Sequence, residues 1–319
     1  MRLAAITKFV MAVVVVFVVV IFGIQIVYSR DQKTIGQDNW GVFGEGVQKT
    51  DTVSEVGISE NFDSVPVVKT LHSKAGIVIN ADTGRVIYAE NAFEVLPMAS
   101  ITKLMSGMVA LDNKIPLKKV VTILQDDYTI GGNLRIVAGR ETVTVKDLFY
   151  ASITGSANNA ALSITKHVNL SATDFVSAMN RKAVELKLES LHFQEASGLS
   201  PKNTGTAYDI ARMAGYAFSR YPLILDAASQ KEYKIITQNT KREHTIKNPD
   251  DLFERTPGQF LASKTGYLDE ALYCLVLAKL TPDGMIIAVT LGNADKVDSE
   301  RETLQLLKRG EAVSVGAIY

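Results

Sequence analysis

Two strand–turn–strand runs, one near each end of the folded region, constrain this chain more than any other feature. Ala75 to Ile79 reads as a strand, Asp82-Thr83-Gly84 as a turn and Arg85 to Ala89 as the returning strand. Far downstream, Ala271 to Lys279 and Met285 to Leu291 repeat the device around Thr281-Pro282-Asp283-Gly284. Between the two the apolar period becomes helical: Ser100 to Asp112, Val145 to Thr154, Asn158 to Val168 after a break at Gly155, Ala172 to Leu186, and Ala207 to Ser219. Arg301 to Arg309 reads as a closing helix. Hairpins at both ends with helices between them predict an α+β fold. Its antiparallel sheet is built from both ends of the domain, with flanking helices and a helical lobe.

The 319 residues exceed what that domain needs. From Phe9 to Tyr28 no residue is charged, a stretch matching the roughly 20 apolar residues of a bilayer-spanning helix. The apolar region of a cleaved signal is shorter, about 7–15 residues. Residues 1–30 are therefore expected to be one transmembrane anchor; the alternative is a signal cut near Val27-Tyr28-Ser29. Arg2 and Lys8 precede the span, and Arg30 and Lys33 follow it beside Asp31. This bias leans toward an inside N-terminus, with the rest on the extracytoplasmic side, or secreted or periplasmic if the segment is cleaved. Residues 31–68 hold no period and read as a flexible linker, leaving 69–319 as the folded domain.

Lys and Arg total 34 and Asp and Glu total 34, so no domain-wide positive field exists and no nucleic acid partner is expected. Cys274 is the single cysteine, which rules out an intrachain disulfide and any zinc site needing two thiolates. His72, His167, His192 and His244 fall in no metal-ligand spacing, and neither a phosphate-cradling glycine loop nor a Gly-x-Ser-x-Gly elbow occurs. No cofactor and no metal are expected.

Three short motifs stand out. Ser100-Ile101-Thr102-Lys103 puts a hydroxyl and an amine on one helix face. Ser156-Ala157-Asn158 follows Gly155, and Lys264-Thr265-Gly266 opens a predicted strand. Each has a decoy or is common alone: Ser163-Ile164-Thr165-Lys166 repeats the first motif, and Ser59-Glu60-Asn61 mimics the second. Order decides. Serine–lysine enzymes need Ser-x-x-Lys, then Ser-x-Asn, then Lys-Thr-Gly, and only Ser100 heads such a series. Ser163 is expected to be an exposed helix turn.

With these motifs, Leu96 to Met105, Thr142 to Phe149, His192-Phe193 with Gly198-Leu199, and Thr206 to Asp209, residues 70 to 310 resemble the low-molecular-mass penicillin-binding proteins, the serine-type D-alanyl-D-alanine carboxypeptidases. The resemblance implies a three-layer α/β/α, β-lactamase- or transpeptidase-like domain. It implies hydrolysis of the D-Ala-D-Ala terminus of peptidoglycan stem peptides, with β-lactam antibiotics as covalent inhibitors. Ser100 is then the nucleophile, Lys103 its base and Ser156 a proton relay. Asn158, Lys264, Thr265 and Gly266 bind substrate, and the backbone N–H groups of Ser100 and Tyr267 form the oxyanion hole. A serine needs an adjacent base, and Lys103 serves only when neutral; burial and Lys264 nearby would both lower its pKa.

The chain departs from the family pattern at Ala157, Asn159, Ser263 and Leu272, and the family's C-terminal β domain and amphipathic anchor are not expected here, so that the N-terminal span would replace that anchor. The same motifs serve D,D-endopeptidases. A class A-like β-lactamase would need a deacylating glutamate in Glu-x-x-x-Asn; Glu195 lies near the right place but Leu199 stands where the asparagine belongs. An inert peptidoglycan-binding module is the non-enzymatic alternative.

Overall fold

The computed structural model describes residues 70–123, 140–314 and 316. The expected membrane span and linker lie outside these residues. Among the described residues, no helix is long and apolar enough to cross a membrane.

In chain order the elements are β1 (Ala75–Asn80), β2 (Val86–Glu90), β3 (Val95–Pro97), α1 (Thr102–Asp112), β4 (Val120–Thr122), β5 (Thr142–Thr144), α2 (Val145–Ile153), α3 (Asn158–Thr165) and α4 (Ala172–Glu185). There follow β6 (Thr204–Thr206), α5 (Ala207–Arg220), α6 (Pro222–Ala228), β7 (Glu232–Ile236), β8 (Glu243–Lys247), α7 (Leu252–Arg255), β9 (Ala262–Leu268), β10 (Leu272–Thr281), β11 (Gly284–Asn293) and α8 (Lys296–Ser314).

The main sheet runs β2-β1-β11-β10-β9, antiparallel throughout. β1, from the start of the domain, pairs with β11 from near its end, Ala75 opposite Leu291, so the sheet is built from both ends of the domain as expected. Side chains alternate between two covered faces. Val78, Leu275, Leu277, Ile286 and Ala288 pack on α8, whose Leu304 and Leu307 join them. Ile77, Ile79, Val276, Ile287 and Val289 face the helical side. With both faces covered, these strands read as unbroken apolar runs rather than as an alternation. The result is a mixed, three-layer domain.

The helical lobe is organised around α1, whose residues from Thr102 to Ala110 are all buried. Three helices open on matching caps. Thr144 accepts from Asp147 N at the start of α2, Ser171 from Asp174 N at α4, and Thr206 from Asp209 N at α5. At α2 the bond is reciprocated by Asp147 on Thr144 N at 2.8 Å. Such caps contribute about 1 kcal/mol each. Two segments read from the sequence as family signatures are thus helix starts.

Boundaries differ from expectation in several places. The first helix begins at Thr102, after a separate 3₁₀ turn over Ala99–Ile101. The closing helix is 19 residues long; it packs on the sheet through Leu304, Leu306 and Leu307, and Gly310 lies against Ile286 and Val78. Lys264 lies within β9 rather than at its start. The β7–β8 hairpin, the pairs β3–β6 and β4–β5, and α6 were not expected from the sequence; β3 and β6 are three residues each and are paired across more than a hundred positions.

Candidate active site

Ser100 sits in the 3₁₀ turn that leads into α1. The preceding Ala99 has φ of 46°, a left-handed conformation costing a non-glycine residue about 1–2 kcal/mol. The turn is held from outside: Met98 N donates to Asn203 O at 3.0 Å. It also leans on two glycines. A Cβ on Gly266 would lie 2.9 Å from Met98 O, and one on Gly198, whose φ is 86°, would lie 2.1 Å from Ala99 O. Gly266 was expected from the sequence to bind substrate; its missing side chain also admits the turn that carries Ser100.

Lys103, one turn on, has no exposed surface. Its Nζ donates to Ser100 Oγ at 2.7 Å, Asn158 Oδ1 at 2.7 Å and the Ser197 carbonyl at 2.5 Å. Burial pulls its pKa down to about 7, with the Glu195 carboxylate pushing the other way. Two of the three partners are carbonyl oxygens, which only accept. A neutral amine must spend both N–H groups on them, which leaves its lone pair directed at the Ser100 hydroxyl.

A second Ser–Lys pair stands beside the first. Ser156, in a left-handed conformation with φ of 54°, precedes α3 and accepts from Lys264 Nζ at 2.8 Å; the same nitrogen donates to Thr265 O at 2.9 Å. Burial, reinforced by the charge of Lys103, holds the Lys264 amine well below its ordinary pKa, against the pull of Asp250. Lys264 therefore carries no exposed charge. The structure places it under Ser156.

Ser100, Ser156, Asn158, Thr265, Gly266 and Tyr267 line a cleft of about 230 Å³ at the exposed edge of β9. Its other wall includes Tyr273 and Lys296, which the sequence reading missed. Tyr267 and Tyr273 hold their rings 4.5 Å apart. Lys296, on the first turn of α8, lines the cleft and pairs with Asp251 at 2.7 Å and with Glu300, which lines it too, at 3.7 Å. Ser163 is buried in α3, not exposed as expected; Lys166 is exposed, and the cleft includes neither.

Glu195 does not fit a deacylating base. Its carboxylate accepts from Ser197 N at 2.6 Å, Ser197 Oγ at 2.5 Å and Asn203 Nδ2 at 3.0 Å. Of the departures, Ala157 has an ordinary φ of −68° and needs no glycine. Leu272 has φ of 57°, a left-handed conformation that leaves a non-glycine residue with local strain.

A serine held by a buried amine, at the open edge of an antiparallel sheet, defines a serine–lysine acyl-transfer enzyme. The family model described as D-alanyl-D-alanine carboxypeptidase (peptidase S11) matches residues 61–295. A D-alanyl-D-alanine endopeptidase of Pseudomonas aeruginosa is 28% identical over 257 residues, covering 79% of this chain and 83% of that protein. The D-alanyl-D-alanine carboxypeptidase DacF of Bacillus subtilis is 30% identical over 260 residues, covering 76% of this chain and 66% of that protein. Among solved structures, a mutant Streptomyces K15 DD-transpeptidase superposes with a TM-score of 0.70 at 26% identity, over 76% of this chain and 99% of that one. The cefotaxime-bound penicillin-binding protein D2 of Listeria monocytogenes gives 0.67 at 25% identity, over 76% and 98%. The chain belongs to the D-alanyl-D-alanine carboxypeptidase family of serine peptidases.

Proposed function

We propose that the protein cleaves the D-Ala-D-Ala terminus of peptidoglycan stem peptides through an acyl-enzyme on Ser100, and that β-lactams trap this intermediate. The 2.7 Å contact of Lys103 Nζ with Ser100 Oγ carries the reading, because the remaining partners of that nitrogen can only accept. Ser100 Oγ attacks the carbonyl carbon while its proton passes to Lys103. The oxyanion is received by the N–H groups of Ser100 and Tyr267. As the C–N bond breaks, Ser156 hands its proton to the leaving amine and receives in turn the one Lys103 took from Ser100, which leaves Lys103 neutral again, while Lys264 holds the Ser156 oxygen at 2.8 Å. Water, deprotonated by Lys103, then releases the acid and frees Ser100.

Asn158 offers its amide N–H to the substrate backbone, since its oxygen is taken by Lys103. Thr265 meets the terminal carboxylate with its hydroxyl, and Lys296 supplies the positive charge. Residues 1–30 anchor the catalytic domain, 69–319, to the outer side of the cell membrane through the 31–68 linker.

Endopeptidase action on cross-links is the second reading, favoured by the Pseudomonas aeruginosa relative named for it. Mass spectrometry tests both. A fluorescent penicillin should add its mass to the wild type and to Ser163→Ala but not to Ser100→Ala; retained labelling in Ser100→Ala sinks the assignment. Products from a pentapeptide and from a cross-linked dimer then rank the two activities.

A further inference from the structure

We propose that Glu195 is a positioning residue for the base: its carboxylate folds the 195–198 turn so that the Ser197 carbonyl holds Lys103 with its lone pair on Ser100. The proposal rests on Lys103 being the base.

The turn is closed by one carboxylate. Glu195 accepts from the backbone N–H of Ser197 at 2.6 Å, from the Ser197 hydroxyl at 2.5 Å and from the Gly198 N–H. Asn203 Nδ2 joins it at 3.0 Å. Hydrogen bonds to an ionised acceptor are about twice as strong as neutral ones, so the turn has one well-determined shape.

That shape reaches both reacting groups. Ser197 O lies 2.5 Å from Lys103 Nζ. Gly198 abuts Ala99, whose carbonyl oxygen a Cβ would approach to 2.1 Å. Asn203 extends the clamp, with Nδ2 3.1 Å from Thr102 Oγ1 and its carbonyl accepting from Met98 N at 3.0 Å. The residues on each side of Ser100 are thus tied to the loop that Glu195 organises.

Charge acts in the same direction. Glu195 is the anion facing Lys103; Lys264 faces it from β9, and Asp250 faces Lys264 from the segment before α7. The carboxylate favours the ammonium form against burial and keeps Lys103 a stronger base than its surroundings alone would allow.

The test is the pH profile of acylation of the full chain by a fluorescent penicillin. Activity needs neutral Lys103, so its acid limb follows the Lys103 proton. Glu195→Gln should lower the plateau about 100-fold, the cost of displacing a reacting group by about 1 Å. It should also move the acid limb to lower pH, because an ammonium deprived of its anion gives up its proton more readily. Glu195→Asp keeps the charge with a shorter reach, so its limb should stay in place while its rate falls. An unmoved limb in Glu195→Gln overturns the proposal, since a merely structural residue changes rate or stability and not the limb. Should Glu195→Gln fail to fold, Glu195→Asp decides, and a wild-type rate there overturns the proposal. Lys103→Ala separates the layers. If it acylates normally, the base assignment falls; if it is silent while Glu195→Gln matches wild type, only the role of Glu195 falls.

Discussion

Gly266 faces Ser100 across a gap that admits no side chain: a Cβ on Gly266 would lie 3.2 Å from the Ser100 nitrogen. The edge strand that is to receive the substrate and the turn that carries the nucleophile are therefore one packed unit. Gly266→Ala should push the turn off β9. We expect a loss of stability of about 1–3 kcal/mol, as for other overpacked sites, and a fall in acylation on the order of 100-fold from misplacing Ser100. Urea denaturation and penicillin labelling measure the two. Wild-type labelling in Gly266→Ala would mean that the contact is slack.

The buried amine sets a pH dependence. Lys103 has a pKa of about 7 in the fold and an ordinary value of 10.5. Acylation should rise with pH, reach half its plateau near pH 7 and hold above it. Stability has the same sign. Between about 7 and 10.5 the unfolded chain binds a proton that the folded chain does not, so this group makes stability increase with pH through that window. The difference in urea midpoint between wild type and Lys103→Met across the window isolates the effect. A flat difference would show that Lys103 is charged in the fold.

Two lysines should fail in different ways. Lys264 is spent on Ser156 and Thr265, so Lys264→Ala should lower kcat by removing the group that supports the proton relay. Lys296 lines the cleft, so Lys296→Ala should raise KM for a free-acid peptide. A charge-assisted contact of about 1.5–3 kcal/mol corresponds to about 10- to 100-fold. Esterifying the peptide's C-terminus should hurt the wild type and add little to Lys296→Ala. Equal turnover of ester and free acid by the wild type would remove the carboxylate contact altogether.

The sequence alone determined the sheet closed from both ends of the domain, because long apolar strands and tight turns are written in adjacent residues. It also separated Ser100 from its duplicate at Ser163, because the order of three motifs is a one-dimensional property. What it did not hold is what depends on approach between segments far apart. That Gly266 makes room for the turn carrying Ser100 is decided by how β9 meets that 3₁₀ turn. That Lys264 stands beneath Ser156, leaving Lys296 as a cation on the cleft wall, follows from burial, which no local pattern encodes. The third partner of Lys103 is a backbone carbonyl, Ser197 O. Every residue carries such a group, so only the folded turn around Glu195 selects the one that meets Lys103.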